Sequence, residues 1–242
     1  MKTQFFLVAL IITLFSLLLS SCEKENNDDD NNNNNNNNGE VLPADNDPVT
    51  ADISGGIGEI TFKSDSSASL VSINRIPFTI GKFLELQTRI ANTPQGAVVM
   101  MLVAMRIYQQ YPVEGMKCLT AASTNPLIVP ATTNPGAYEG NVMGNISELT
   151  RKLKDYPHLP FVYYQGAAPN NKYTPQAPPY VVSLKVTDLS YATAMDESIR
   201  VKLFVNSLAA DSPRPVVVRK MGTIYKVTEY SSLYLAPKPI TN

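Results

Sequence analysis

The sequence predicts an α+β domain in which a helical layer is packed on a C-terminal antiparallel β-sheet. Three observations support this class. A strongly apolar helix pattern lies near residue 100, the periodicity changes from helical to alternating after Leu159, and short-looped strand patterns then continue towards the C-terminus. Because the helices are grouped before most of the strands, the pattern favours α+β over alternating α/β.

The folded part begins with two predicted strands, Ile57–Phe62 and Ser69–Thr79, joined through a polar turn at residues 64–67. Both segments are rich in residues that favour extended backbone. The segment from Gly81 to Ala91 is predicted to be a helix.

The strongest helix signal follows. Thr93 is a suitable N-cap, and Pro94 suits the first helical position. The run Ala97–Met105 is apolar on every side of a helix, so it belongs in the middle of a core. At nine residues this run is too short to cross a bilayer, which takes about 20.

Two further helices are predicted, Val113–Ala122 and Asn141–Asp155, with a Pro- and Thr-rich loop to Tyr138 between them. Apolar residues recur at helical spacing in the second helix, and Pro157 ends it. The residues at this spacing are Val142, Ile146, Leu149 and Leu153.

After Leu159, apolar or alternating segments predict a series of strands, and Gly222 suits a hairpin turn between the last two. Leu233–Leu235 is expected to continue the sheet or to cover its edge. A cystatin-like or NTF2-like roll is one arrangement compatible with this order. The predicted strands are Phe161–Gln165, Val182–Val186, Ile199–Val205, Val216–Arg219 and Ile224–Glu229.

The N-terminus has the parts of an export signal: Lys2, an apolar run from Phe5 to Leu19, and small residues before Cys22. The apolar run is shorter than a transmembrane helix requires. The segment resembles a bacterial lipoprotein signal, with residues 1–21 removed and Cys22 lipidated. This resemblance implies a membrane anchor of several acyl chains, such as palmitate, and stable anchoring requires at least two.

Residues 22–52 are predicted to be a disordered tether, because the asparagine tract Asn31–Asn38 and its acidic flanks offer almost nothing to bury. About 30 residues of flexible chain span roughly 30 Å. The acidic residues after Cys22 resemble the export signal of Bacteroidota-type surface lipoproteins. That resemblance implies an outer-membrane protein facing outward, and a periplasm-facing orientation is the alternative.

The remaining residues, 53–242, are predicted to form one globular domain, and its charge differs from that of the tether. Residues 23–52 carry nine acidic and one basic side chain, whereas residues 53–242 carry 18 basic and 12 acidic ones, a net charge of +6. A basic surface attracts anionic glycans, lipid headgroups or nucleic acid. The basic residues are too scattered to predict a nucleic-acid site.

The inventory of reactive side chains excludes several mechanisms. With Cys22 assigned to lipid, Cys118 has no partner for a disulfide and is expected to be a small buried residue. His158 is the only histidine, which excludes a zinc site built on several histidines. No phosphate loop, nucleophile elbow or dinucleotide fingerprint is present, so no catalytic residue, metal or cofactor is predicted.

Several segments carry a further resemblance, and together they span about Ile76 to Pro239. They are Thr93–Ala97, Phe161–Tyr173 leading into Pro178-Pro179-Tyr180, Asp211–Pro215, and Tyr225–Val227 followed by Tyr230–Leu233. These segments are similar to an uncharacterised bacterial domain family found in lipoproteins and other exported proteins. The chain departs from that pattern at Ile224-Tyr225, where a tryptophan is expected. The resemblance implies no reaction.

The candidate ligand-binding residues lie in and after a long Pro-, Gly- and Asn-rich loop. Tyrosines on an ordered loop can form a stacking platform, or they can anchor the loop to the core. Arg214, held between two prolines, can present its guanidinium to a carboxylate or pair with a nearby acid. The candidates are Tyr163, Tyr164, Tyr173, Tyr180 and Arg214.

Three functions are compatible with the sequence. The first is a non-catalytic, lipid-anchored binding or accessory module for a glycan, a peptide or an envelope protein. The second is a structural or assembly partner of an outer-membrane protein complex. The third is a hydrolase that uses a pair of carboxylates.

Overall fold

The computed structural model describes residues 40–55, 69–185 and 200–241. Within these ranges the chain has an α+β fold with four α-helices, a six-stranded antiparallel sheet and a separate two-stranded sheet, which confirms the predicted class. The predicted signal peptide, Cys22, the tether as far as residue 39 and the predicted strand Ile57–Phe62 lie outside the described residues.

The helices are α1 (Ile80–Ile90), α2 (Pro94–Gln110), α3 (Pro112–Ala122) and α4 (Ser147–Asp155). The strands are β1 (Ala51–Ser54), β2 (Ser69–Ile73), β3 (Ile128–Pro130), β4 (Asn141–Met143), β5 (Tyr180–Lys185), β6 (Arg200–Val205), β7 (Arg214–Met221) and β8 (Ile224–Glu229). The large sheet has the order β1-β2-β5-β6-β7-β8, so two of its strands come from before the helical region.

Helix α2 forms the centre of the core, as its apolar run predicts. Thirteen of its 17 residues are buried, and it contacts α1, α3 and the inner face of the large sheet. The Thr93 side chain accepts a hydrogen bond from the Gly96 amide at 3.1 Å, the expected N-cap. Gly115 of α3 lies against α2 so closely that a Cβ atom there would be 2.0 Å from Tyr108 Cα.

Residues 40–52, which the sequence assigns to the disordered tether, are packed on the domain. We call residues 40–50 the N-terminal strap. The Glu40 carboxylate accepts hydrogen bonds from the Val113 and Glu114 amides at the start of α3. Val49 is fully buried, and residues 51–54 form β1. The strap is ordered because its acidic side chains satisfy free amides at helix N-termini, an interaction between distant residues that composition does not reveal.

Asp45 makes the second contact of the strap. Its side chain, which is 2% exposed, accepts hydrogen bonds from the Phe78 and Thr79 amides just before α1 and forms an ion pair with Arg75 at 2.5 Å. Burial by itself raises the pKa of this carboxyl. The hydrogen bonds from Phe78, Arg75 and Thr79 outweigh that effect and hold the pKa below its usual value.

Three predicted elements differ from the structure. The predicted helix Asn141–Asp155 starts only at Ser147, because residues 141–143 pair with β3 and Asn145 has a φ of +47° that interrupts a helix. The predicted strand Ser69–Thr79 ends at Ile73, after which Pro77 and the strap contacts replace sheet pairing. Of the two alternatives for Leu233–Leu235, continuation of the sheet is wrong, since residues 231–234 form a 3-10 helix that packs against β7.

The predicted strand Phe161–Gln165 is also wrong. Pro160 starts a 3-10 helix at Leu159–Phe161, and within the predicted strand only Tyr164 makes a β-bridge, to Val182. The segment is apolar because it packs beneath α2, which explains why its composition resembles a buried strand.

Several other predicted elements are confirmed. Helices α1, α2 and α3, strands β5 to β8 and the hairpin at Gly222 (φ +62°) lie where the sequence places them. Cys118 is fully buried, and burial raises the pKa of its thiol well above the usual value. Tyr225, part of the Ile224-Tyr225 departure from the family pattern, is a buried core residue. Within the described ranges, no helix is both long and apolar enough to span a bilayer.

Candidate functional site

Two adjoining clefts share the side chains of Phe161 and Tyr180, and together they form what we call the aromatic groove. The first cleft has a volume of about 550 Å³, and the second about 450 Å³. Cavities of this size, lined by aromatic rings with a few polar groups, are typical of ligand sites. Beside the two shared rings, the first cleft is lined by His158, Lys172, Tyr173 and Gln176, and the second by Asp45, Asp47, Arg75 and Arg106.

The two shared rings are held in place by the layer beneath them. Phe161 ends the 3-10 helix Leu159–Phe161, and Tyr180 is the first residue of β5. The ring of Tyr164 contacts both, with centroid distances of 6.3 Å to Phe161 and 5.6 Å to Tyr180. Because Tyr164 is only 2% exposed, it is a fixed support, and Phe161 and Tyr180 are half-buried on its outer side.

The Tyr164 hydroxyl is buried without a hydrogen-bond partner among the described residues. Burial raises the pKa of this phenol strongly, and the charge of Arg106 opposes the shift. An unsatisfied hydroxyl in an apolar setting is unfavourable by about 1–3 kcal/mol. The layer that supports the two groove rings is therefore not optimised for stability alone.

The first cleft ends at a stacked pair of rings. His158 lies parallel to Tyr173, with the centroids 4.8 Å apart, and the Tyr173 hydroxyl donates to the Lys238 carbonyl oxygen at 2.7 Å. Burial lowers the pKa of His158, so the imidazole is neutral near pH 7.

The backbone beside this pair is strained. Lys172 and Tyr173 both have positive φ, at +56° and +57°. Each such residue costs about 1–2 kcal/mol relative to ordinary backbone. Strain of this kind persists where surrounding contacts over-determine it, and it concentrates at ligand sites.

Arg106 supplies the charge in the second cleft. It is the only charged residue in the sequence of α2, and its guanidinium carbon lies 4.6 Å from the centroid of the Phe161 ring. It donates a hydrogen bond to Gln109 Oε1 at 2.7 Å and forms no ion pair among the described residues. Burial lowers its pKa, since a half-buried guanidinium has lost part of its hydration.

The acidic residues of the second cleft do not neutralise Arg106. Asp45 is committed to Arg75 and to the start of α1. Asp47 is exposed and contacts Arg75 through its backbone carbonyl rather than its carboxylate. The cleft therefore contains one satisfied ion pair and one cation whose nearest polar partner is a neutral amide.

The five candidate residues from the sequence are divided among three places. Tyr173 and Tyr180 lie in the aromatic groove, and Tyr163 and Tyr164 line a separate third cleft of about 400 Å³. Arg214, at the start of β7, lines none of these three clefts. Tyr163 is an anchor, since its hydroxyl is buried and donates to the Leu233 carbonyl oxygen at 2.6 Å.

Several polar side chains of the third cleft have partners, whereas the Tyr164 hydroxyl on the same cleft has none among the described residues. The Asn206 side-chain amide donates to Ser183 Oγ at 2.9 Å, and the Ser207 hydroxyl donates to the Val162 carbonyl oxygen at 2.7 Å. Asp211 forms an ion pair with Lys238 at 2.7 Å. The one charged side chain that lines this cleft, Asp211, therefore has a counter-ion, whereas Arg106 in the aromatic groove has none among the described residues.

The sequence patterns do not predict Phe161 and Arg106 as site residues. Phe161 was assigned to a strand, and its place in the groove depends on the turn at Pro160. For Arg106 a signal was present: a single charge in an otherwise apolar helix usually has a specific environment. The described residues contain no cluster of three His, Cys, Asp or Glu side chains that could hold a metal ion.

The comparisons with known proteins identify one family. Residues 75–241 match the sequence profile of a family described as a domain of unknown function (DUF6935). This match agrees with the resemblance to an uncharacterised domain over about Ile76 to Pro239. No curated protein and no solved structure matches the chain significantly.

Proposed function

The chain belongs to the DUF6935 family, a domain family without an assigned reaction, and on that premise we propose that it is a non-catalytic binding module of the cell envelope. The module is anchored by lipid on Cys22 to the outer membrane and faces outward. Its ligand occupies the aromatic groove. The single observation that carries this proposal is the combination, in one groove, of rigid aromatic walls with an arginine that has no acidic partner among the described residues.

Binding fits the groove better than acid–base catalysis does. A carboxylate-dependent hydrolase needs one carboxylic acid that is still protonated near neutral pH. The hydrogen bonds from Arg75 and from the amides before α1 instead keep Asp45 ionised. His158 is stacked on Tyr173 with its Nε2 buried and without a hydrogen-bond partner in the described part of the chain, so no neighbour there orients it as a base.

Support for the lipid anchor comes from the sequence before residue 40. The apolar run, the small residues before Cys22 and the acidic Asn-rich segment form a continuous signal-and-tether pattern. Because the strap packs on the domain from Glu40, the expected tether is shorter than 30 residues.

Binding is tested with glycan and peptide arrays probed by the full-length protein in a detergent without sugar headgroups. Tyr180→Ala should weaken any specific binding by about tenfold or more, because it removes one of the two shared rings. Tyr234→Ala is the matched control: Tyr234 is also half-buried and forms an edge-on pair with a buried tyrosine, Tyr230, with centroids 5.3 Å apart, but it lines none of the three clefts.

Equal binding by both variants, or no binding to either array, would refute the proposed function. Localisation is tested separately by fractionation and protease shaving. Cys22→Ala should move the protein from the membrane to the soluble fraction. Retention of that variant in the membrane would refute the lipid anchor without affecting the proposal for the groove.

A further inference from the structure

The electrostatics of Arg106 narrow the class of ligand. We propose that the aromatic groove binds an acidic saccharide, whose sugar rings lie against Phe161 and Tyr180 and whose carboxylate is received by Arg106. This inference rests on the proposed binding function and adds to it the chemistry of the ligand.

Arg106 lacks a counter-charge within the described part of the chain. A buried or half-buried cation is normally paired, because desolvation without a counter-charge is unfavourable. Arg106 is half-buried on the central helix, and its described partners are an aromatic face and a neutral amide oxygen. A ligand carboxylate would supply the missing counter-charge and accept two parallel hydrogen bonds from the planar guanidinium.

The Arg106 side chain is held in position by its neighbours. Gln109 Nε2 donates to the Pro157 carbonyl oxygen at 2.6 Å, which leaves Gln109 Oε1 to accept from Arg106 at 2.7 Å. The Phe161 ring supports the other side of the guanidinium. Because Arg106 is held before a ligand arrives, little side-chain entropy is lost on binding.

The lining of the groove favours a saccharide over a peptide. Extended peptides are commonly held through backbone hydrogen bonds to a strand edge or loop amides. The groove walls include Pro157, Pro175 and Pro178, which have no amide donor. The walls offer ring faces together with side-chain donors, namely Lys172, Gln176, Gln110 and Arg106, and this combination suits sugar rings with their many hydroxyl acceptors.

The test uses isothermal titration of the full-length protein, in a detergent without sugar headgroups, with three probes. These are uronate trisaccharides (galacturonate, glucuronate and mannuronate), the methyl esters of the same trisaccharides, and a triglutamate peptide. The esters keep the sugar rings and remove the negative charge. Arg106→Gln and Arg106→Lys are compared with Arg89→Gln, an exposed arginine of α1 that pairs with Glu85 and lines none of the clefts.

At least one uronate trisaccharide should bind, and Arg106→Gln should weaken it by about 10- to 100-fold, the loss expected when a charge-assisted hydrogen-bonded pair is removed. Methyl esterification should weaken binding by a similar factor, and adding it to Arg106→Gln should have little further effect. The uronate affinity of Arg106→Lys should lie between those of the wild type and Arg106→Gln, because lysine keeps the charge but lacks the two parallel donors of the guanidinium. Arg89→Gln should leave the affinity unchanged. Thermal melts confirm that each variant is folded.

Four results would overturn the inference. They are equal affinity for acid and ester, unchanged uronate affinity in folded Arg106→Gln, binding of triglutamate but not of uronates, and no uronate binding at all. Binding of neutral array glycans or of peptides that still depends on Tyr180 would keep the proposed function while rejecting the acidic saccharide. If no probe binds in a way that depends on Tyr180, both the proposed function and the acidic saccharide are rejected.

Discussion

Helix α2 links two regions built on opposite principles. Its middle, Ala97–Met105, is completely enclosed by apolar neighbours, and its N-cap is satisfied by Thr93. At the next residue the same helix presents Arg106, which has no acidic partner in the described part of the chain, to an open groove. The first region is arranged for stability, whereas the second keeps a desolvated cation, a buried unsatisfied hydroxyl and two strained residues.

This contrast between a satisfied core and an unsatisfied groove indicates which region binds a ligand in a domain without recognised catalytic motifs. Core packing of α2 constrains every side chain, so substitutions there report on folding. The groove contains groups whose arrangement is unfavourable for the folded chain alone, and such sites are commonly retained for binding. Substitutions in the two regions should therefore separate stability from ligand affinity.

The largest effect is expected at the contact between α2 and α3. Gly115→Ala would place a Cβ atom 2.0 Å from Tyr108 Cα, and a backbone atom cannot move away without separating the helices. The free energy of unfolding should fall by more than about 3 kcal/mol. Chemical denaturation measures this loss.

Gly81→Ala is the matched control for that experiment. Gly81 lies in the first turn of α1 with open space around its Cβ position, so alanine should raise stability by about 0.5–1 kcal/mol. A loss below 1 kcal/mol for Gly115→Ala would show that the two helices are not closely packed.

A smaller effect is expected where the strap meets α1. Asp45→Ala removes two amide contacts and the ion pair to Arg75, and should lower the free energy of unfolding by about 2–3 kcal/mol. Asp47→Ala, two residues away and exposed, should change it by less than about 0.5 kcal/mol. Equal effects would contradict the capping role of Asp45.

The same residue predicts a pH dependence. Because the folded pKa of Asp45 is below the ordinary value of 3.8, its contribution is present above about pH 4 and is lost as the pH falls through the folded pKa. The wild type should therefore lose more stability than Asp45→Ala below about pH 4.

The smallest change in stability is expected in the groove, where a substitution should raise the free energy of unfolding instead of lowering it. Lys172→Gly should raise the free energy of unfolding by about 1 kcal/mol, because glycine accepts a φ of +56° without strain. Lys172→Ala removes the same side chain but keeps the strain, so its stability should stay near that of the wild type. If both variants have the same stability, the backbone at Lys172 is not strained.

Much of the fold was predictable because local signals agreed with the tertiary structure. The Thr93-Pro94 start and the apolar run of α2, and the alternation that marks β6 and β8, depend on neighbours in sequence. The wrong predictions lie where contacts between residues distant in sequence determine the local structure. The strap is ordered by helix N-termini more than 30 residues away, and Asn141–Met143 pairs with β3 instead of extending α4.

By itself, the sequence determined the α+β class, the central position of α2 and the lack of a recognisable catalytic or cofactor motif. These follow from periodicity and residue types. Only the tertiary structure decided which aromatics face a ligand. Tyr163 became an anchor and Tyr180 a groove wall, although both lie in the same aromatic segment. It also brought Arg106 of α2 beside Phe161, 55 positions later in the chain, because a groove is formed by packing between elements that sequence spacing cannot relate.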